Sequence, residues 1–241
     1  MQEEVKKMNK RLATIAAILV LGSMLLLLVP QANSSTIADI YLNPSTTVSG
    51  KLGKLFNVTV NTRDVTNLYA YEFKLDYNTT LLQVTKVYNG SFFPLPPKSI
   101  IAKLQINNTA GTVWFAASLL APEAPKSGSG VLATITFNTT YSAPYPETAG
   151  CTLHLYNVKF SDSNANPITV NIIDGEYKFI ALHGDINGDG RVDILDIVIV
   201  TSAFGCTPSD PSWNPKADLK TDGIIDIFDV VLVANNYGAT G

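Results

Sequence analysis

Charge is what this sequence has least of. Asp, Glu, Lys and Arg make up 15% of its 241 residues, against roughly 25% in ordinary soluble domains. A solvated disordered chain needs more charge and fewer apolar residues than the 46% found here, and is excluded. Lys and Arg number 17 against 20 Asp and Glu, so no basic field attracts phosphates and a nucleic-acid binder is excluded too. Two cysteines and two histidines are too few for a disulfide scaffold or a zinc module. No nucleophile elbow, P-loop or dinucleotide fingerprint is present, and the glycines between Gly184 and Gly190 lie among aspartates that repel phosphate. Glu72, Glu123, Glu147 and Glu176 are the carboxylates a glycosidase pair would draw on. Nothing in the sequence brings two of them together, so no catalysis is expected.

The charge that exists is unevenly placed. Residues 1–34 carry +2 (four basic, two acidic) and residues 35–183 carry +1 (ten basic, nine acidic). Residues 184–241 carry −6, from nine Asp and no Glu against Arg191, Lys216 and Lys220. Three segments follow: a leader at 1–34, a body at 35–181 and a tail at 182–241. In the leader, Lys6, Lys7, Lys10 and Arg11 precede an uncharged apolar run from Leu12 to Val29, then Pro30 and the small residues Ala32 and Ser34. Basic, apolar, small is the order of a secretory signal. The run is also just long enough to anchor in a bilayer, and the sequence leaves cleavage open. In either case the remainder is expected outside the cytoplasm, secreted or at the cell surface, touching a membrane through that segment alone. Asn33, Asn57, Asn78, Asn89, Asn107 and Asn138 each begin an Asn-x-Ser/Thr triplet and are candidate glycan acceptors.

Residues 37–180 alternate apolar and polar with period two, the pattern of strands with one buried face. Phe56, Val58 and Val60 share a face; so do Tyr69, Tyr71, Phe73, Leu75 and Tyr77. Val113 to Leu119, Val131 to Phe137, Cys151 to Leu155 and Tyr177 to Phe179 repeat the pattern. Turn signals separate them at Asn43-Pro44-Ser45, Asn89-Gly90, Pro94 to Pro97, Lys126 to Gly130 and Ser161 to Pro167. No stretch keeps a helical period. About nine strands in this length predict a mainly β fold, a two-sheet sandwich. Cys151 and His154 stand three apart on a strand, on opposite faces, and so are no metal pair. Whether Cys151 and Cys206 form a disulfide is left open.

Three stretches of the body carry a resemblance. Val48-Ser49-Gly50 before Phe56-Asn57-Val58, the run Tyr71-Glu72-Phe73-Lys74-Leu75-Asp76-Tyr77, and the run Gly130 to Phe137 are similar to a cohesin domain. The resemblance implies a nine-stranded jelly-roll, related to carbohydrate-binding modules, that docks a dockerin on one sheet face. The docking residues of that family are poorly fixed in sequence, so it implies none by number.

The tail carries a sharper pattern. Asp185, Asn187, Asp189, Asp193 and Asp196 place oxygen side chains at positions 1, 3, 5, 9 and 12 of a loop, with Gly190 at the sharp turn of position 6. A hard cation such as calcium takes six to eight oxygens, and this spacing wraps them round one point, with the backbone carbonyl of Arg191 added at position 7. Ile194, Ile197, Val198 and Thr201 then follow helical spacing, with Gly205 as a stop. Thirty-three residues on, Asp218, Asp222, Gly223, Asp226 and Asp229 repeat positions 1, 5, 6, 9 and 12, with Ile224 at position 7. Ile227, Val230 and Val231 repeat the helix, and Gly238 the stop. Eight of the nine tail aspartates sit at ligand positions, which a randomly acidic surface would not produce. The loops differ from an ordinary EF-hand in ending on Asp rather than Glu and in lacking the entering helix, because Tyr177 to Ile180 reads as a strand.

A loop followed by a helix, duplicated, resembles a type I dockerin over residues 184–238. The resemblance implies two calcium ions. Lys220 departs from it, standing at position 3 of the second loop where the family has Asn or Asp. An ammonium has no lone pair for a metal, so the second site is expected to be the weaker. The resemblance also implies cohesin contacts at positions 10 and 11 and on the following helix: Ile194, Leu195, Thr201 and Ser202, then Ile227, Phe228, Ala234 and Asn235. The alternative is that these residues pack the two helices together, and the sequence does not choose.

The function expected is therefore an exported, non-catalytic adaptor that joins proteins bearing cohesins or dockerins, its own copies among them, in polysaccharide-degrading or cell-surface complexes. The alternative is a carbohydrate-binding module docked to a scaffold by its tail, with Trp114, Tyr69 and Tyr71 as the aromatics that would meet sugar.

Overall fold

Alternating side chains build two sheets whose apolar faces meet. In the computed structural model, which describes residues 37–241, strands are numbered in chain order. One sheet runs β11 (Val170–Ile173), β1 (Ala38–Asn43), β3 (Leu55–Leu68), β8 (Lys126–Thr139) and β5 (Leu82–Asn89). The other runs β2 (Thr46–Ser49), β12 (Gly175–Ile180), β9 (Thr148–Ser161), β4 (Ala70–Asp76), β7 (Thr112–Leu119) and β6 (Ser99–Asn107), with the short β10 (Pro167–Ile168) beside β9. Pairing is antiparallel except for β1 with β11 and β12 with β2. The expected leader, with Asn33, lies outside the described residues. Among the described residues no helix is long and apolar enough to cross a membrane.

The core lies between the sheets. Val58, Val60, Ile135 and Phe137 come from one sheet and Tyr71, Phe73, Leu75, Val113 and Phe115 from the other, all buried. Phe73 and Phe115 stack at 5.6 Å, and Tyr77 meets Phe137 edge-on at 5.4 Å, geometries that suit the ring quadrupole. The Tyr71 hydroxyl donates to the carbonyl oxygen of Leu132 at 2.7 Å, tying one sheet to the other, and burial pushes its pKa well above the ordinary phenol range, so it stays protonated.

Two details of the sequence reading change. Among the described residues twelve strands replace about nine, because β2, β10 and β11 have four, two and four residues, too few to display a period. Lys126 to Gly130, expected as a turn, instead opens β8, where Lys126 pairs with Leu68 and Gly128 with Val65 across bulges. Here the backbone pairs without any side-chain alternation. Asp64 and Asn67 adopt left-handed backbone (φ 57° each) and their N–H groups donate to the hydroxyls of Ser129 and Ser127. Cys151 and Cys206 are both free thiols, so the disulfide left open by the sequence is not formed.

Beyond β12 the chain forms helices α1 (Ile194–Ser202) and α2 (Ile227–Asn235). Ile186, Val192, Val200 and Ala203 from the first repeat and Leu219, Ile225 and Val233 from the second fill a small separate core. Each loop is closed by the other repeat. Val192 exchanges hydrogen bonds with Gly238 and Ala239 beyond α2, and Ile225 does so with Gly205 and Cys206 beyond α1.

Candidate functional site: two acidic loops and the faces around them

Asp185 is the pivot of the first loop. Its Oδ1 accepts from the N–H groups of Gly188 (2.7 Å) and Asp189 (3.2 Å), and its Oδ2 from Gly190 (2.8 Å). Gly190 stands at φ 82°, a left-handed turn that glycine makes without strain. Asp196, fully buried, accepts from Ile186, Asn187 and Asp193. Burial pushes the Asp185 carboxyl above the usual carboxylate range; its backbone donors oppose this, and the nearby charges of Asp196 and Asp189 add to it. Like charges gathered in a buried loop call for a cation.

Asp193 and Asp196 have a second task that sequence reasoning missed. Asp193 is the N-cap of α1 and accepts from Leu195 N–H at 2.8 Å, while Asp196 reaches back to Asp193 N–H, a reciprocal capping box. Asp226 and Asp229 do the same for α2. The signal was present as Asp-x-x-Asp before an apolar run. The ligand reading absorbed it.

The second loop reproduces the scaffold. Asp218 accepts from Asp222 (3.2 Å) and Gly223 (3.0 Å), and Asp229 from Lys220 (3.0 Å) and Asp226 (2.8 Å). Arg191 and Ile224, the two position 7 residues, each donate backbone N–H to the position 5 carboxylate. In position 3 the loops part. Asn187 donates its amide to Asp189 at 3.2 Å, whereas the Lys220 ammonium sits 3.0 Å from Asp222 Oδ2 and 4.5 Å from the Phe228 ring centroid. The Asp222 hydrogen bond raises the Lys220 pKa, and the same bond holds Asp222 below the usual carboxylate range.

The donor chemistry of the first loop, four carboxylates with an amide and a carbonyl oxygen, fits calcium. Among the described residues no three His, Cys, Asp or Glu side chains close on one point by themselves. A calcium loop does not need them to, since amide, carbonyl and water oxygens complete its shell.

The eight helix residues expected at a partner surface are all exposed: Ile194, Leu195, Thr201, Ser202, Ile227, Phe228, Ala234 and Asn235. They do not pack the helices together; buried Val200 and Val233 do. Ile194, Leu195, Val198, Ile227 and Phe228 are each more than half exposed, an apolar surface repeated on both helices.

On the sandwich, the side of β4 and β7 away from the core carries an ordered charged surface. Trp114 lies between the ammonium groups of Lys74 and Lys103, each 4.6 Å from its ring, and its indole N–H donates to Glu72 at 3.0 Å. Lys159 reaches Glu72 at 3.7 Å. A shallow groove of about 470 Å³ opens beside it, lined by Ala70, Ala102, Ala116, Ser118, Val158 and Ile168. Sequence reasoning missed this surface, because Glu72 with Lys74, Lys103, Trp114 and Lys159 lie far apart in the chain and only the pairing of their strands brings them together. The three aromatics named for sugar do not form a platform: Tyr71 is buried, Tyr69 packs against the core, and lysines cover Trp114. Of the glutamates, Glu72, Glu123 and Glu176 are each ion-paired to a lysine. Asn57 and Asn78 are exposed and Asn89, Asn107 and Asn138 half-buried.

The family model for the cohesin domain matches residues 45–179, more than half of the chain. The chain belongs to the cohesin family. The model for the dockerin type I domain matches residues 183–236, directly after the cohesin. Among solved structures, the cohesin of a type I cohesin–dockerin complex from Clostridium thermocellum is similar with a TM-score of 0.52 and 17% identity, covering 61% of this chain and 95% of that one. The third cohesin ScaC of Acetivibrio cellulolyticus, in complex with the ScaB dockerin, gives 0.51 and 21%, covering 60% and 100%. No curated protein sequence matches the chain. Cohesins and dockerins are non-catalytic interaction domains that bind partners bearing the other domain, and type I dockerins bind calcium. This cohesin chain thus joins both halves of an assembly module.

Proposed function

We propose that the protein is an extracellular, non-catalytic adaptor whose dockerin half engages a cohesin on another molecule in a calcium-dependent way. The observation that carries this reading is the apolar surface of Ile194, Leu195, Val198, Ile227 and Phe228, left uncovered on two helices that each start from an acidic loop. Exposed apolar patches of this kind mark interaction sites. On the sandwich half, the Lys74–Trp114–Lys103 surface and its groove are the region offered to a partner's dockerin. Three lysines there complement a tail of net −6. The residues assigned to calcium are Asp185, Asn187, Asp189, Asp193 and Asp196 with the Arg191 carbonyl; the ion would draw these oxygens together and steady the start of α1. Export rests on the leader, and an association with polysaccharide-degrading complexes rests on the family. The immobilised full chain, exposed to culture medium with calcium or with a chelator, should retain cohesin- or dockerin-bearing proteins in calcium alone. Retention of polysaccharide with no protein partner would replace this reading with the carbohydrate-binding one.

A further inference from the structure

The two acidic loops are built alike and yet are not equivalent. Both hang on the same backbone hydrogen bonds to their position 1 and position 12 aspartates. The first loop holds its carboxylates with no lysine or arginine ion pair recorded among the described residues; Arg191, at position 7, is exposed. The second carries Lys220 at position 3, its side chain half exposed and turned onto the loop's own carboxylate. The ammonium bonds Asp222 Oδ2 at 3.0 Å and rests on the face of Phe228 at 4.5 Å. A cation over an aromatic face is attracted by the ring quadrupole, so the lysine is held from two sides.

We propose that the Lys220 ammonium is the resident cation of the second loop, so that this dockerin binds one calcium ion, in the first loop, and keeps its second loop folded without metal. The inference rests on the calcium reading given above and departs from it at the second site. The position 3 side chain, which would supply an oxygen to a metal, supplies a positive charge instead, and one oxygen of the position 5 carboxylate is already bonded to it. A hard cation seeking six to eight oxygens finds two ligand positions compromised and a like charge among its neighbours. The remaining carboxylates of Asp218, Asp226 and Asp229 are engaged by backbone N–H groups, which hold them in place with no ion. Phe228 serves twice: its ring face supports Lys220, and more than half of the residue stays exposed on the helix.

Isothermal titration of the full chain with calcium, paired with native mass spectrometry, counts the ions. One calcium per chain is expected, abolished by Asp185→Ala and untouched by Asp218→Ala. Lys220→Asn should raise the count to two. In chelator, Lys220→Asn should also lower the unfolding temperature, because Asp222 loses its ion-pair partner and the loop its positive charge; Lys220→Arg should restore the one-ion count and most of the temperature. Two ions bound by the native chain with affinities within about tenfold would overturn the proposal, as would an unchanged count in Lys220→Asn. No ion bound at all would overturn the calcium reading of the whole tail, a distinct result.

Discussion

The backbone N–H of Tyr145 donates to the carbonyl oxygen of Asp185 at 2.9 Å. The position 1 aspartate of the first loop is thereby fastened to the sandwich, and the Tyr145 ring lies edge-on to His183 at 4.5 Å beside it. Gly188 completes the contact: a Cβ there would stand 2.8 Å from the Pro144 nitrogen, at φ 77°. Gly223, in the second loop, has a similar φ of 86° but no atom within 4 Å of its Cβ direction. Gly223→Ala should therefore cost about 1–2 kcal/mol of left-handed strain, and Gly188→Ala distinctly more. Thermal unfolding of the two variants in calcium checks the order, and equal losses would count against the contact.

Calcium should order the first loop and the start of α1. Clustered carboxylates repel one another, and helices of nine residues are marginal alone. Titration of the chelated full chain with calcium should increase helical circular dichroism. Asp185→Ala should weaken calcium binding by at least ~10-fold, the effect already typical of losing a residue that merely supports a ligand. An unchanged spectrum would remove the case for a calcium-ordered first loop.

Leu195→Asp and Ile227→Asp alter exposed residues that pack nothing in the small core. Each should leave stability within about 0.5 kcal/mol. Together they should weaken cohesin capture by 2 kcal/mol or more, read as a loss of roughly 30-fold in surface plasmon resonance. Undiminished capture would place the partner surface elsewhere.

A chain bearing both halves is predicted to join head to tail with its own copies. Only residues 181–184 separate β12 from Asp185, a reach of roughly 14 Å when extended. The tether is too short for the helices to fold back onto a distant face of their own sandwich. Heterologous contacts between molecules give rings or open fibres. Light scattering should reveal calcium-dependent oligomers that a chelator dissolves; a monomer at high concentration in excess calcium would leave a bivalent adaptor with two different partners.

Asp39 ties β1 to its neighbours through Asn171 on β11 and Arg63 on β3. The Asn171 hydrogen bond, then that of Arg63, lowers its carboxyl below the usual value. A depressed folded-state pKa means stability that is full above the ordinary carboxylate range and lost as pH falls through the folded value. Asp39→Asn should flatten that part of the acid limb, measured as unfolding midpoint against pH. An identical limb in the variant would assign the acid sensitivity to other carboxylates.

How much of this was legible depended on the kind of information. The core alternation of Tyr71, Phe73 and Leu75 and the doubled aspartate spacing are periodic, and sequence reasoning read both. The pairing of Gly128 with Val65 was not legible, because it is a backbone contact between residues with no pattern of their own. Lys220 was recognised as a misfit, but its seat between Asp222 and Phe228 depends on a helix turning the ring back over the loop. The surface around Trp114 combines β4, β6, β7 and β9, strands distant in sequence. Ile186, Val192, Leu219 and Ile225, at positions 2 and 8 of each loop, repeat as regularly as the aspartates and were passed over in their favour.

Because Val192 is bonded to the stretch beyond α2 and Ile225 to the stretch beyond α1, the two repeats are clasped hands rather than beads on a string. Neither owns a complete loop. A protease that cut between Ser209 and Pro211 would leave all of those bonds standing, and the severed half would remain seated. Deleting either half would remove every one of them at once. Duplication here did not add a second copy of a working part. It supplied the piece without which the first does not close.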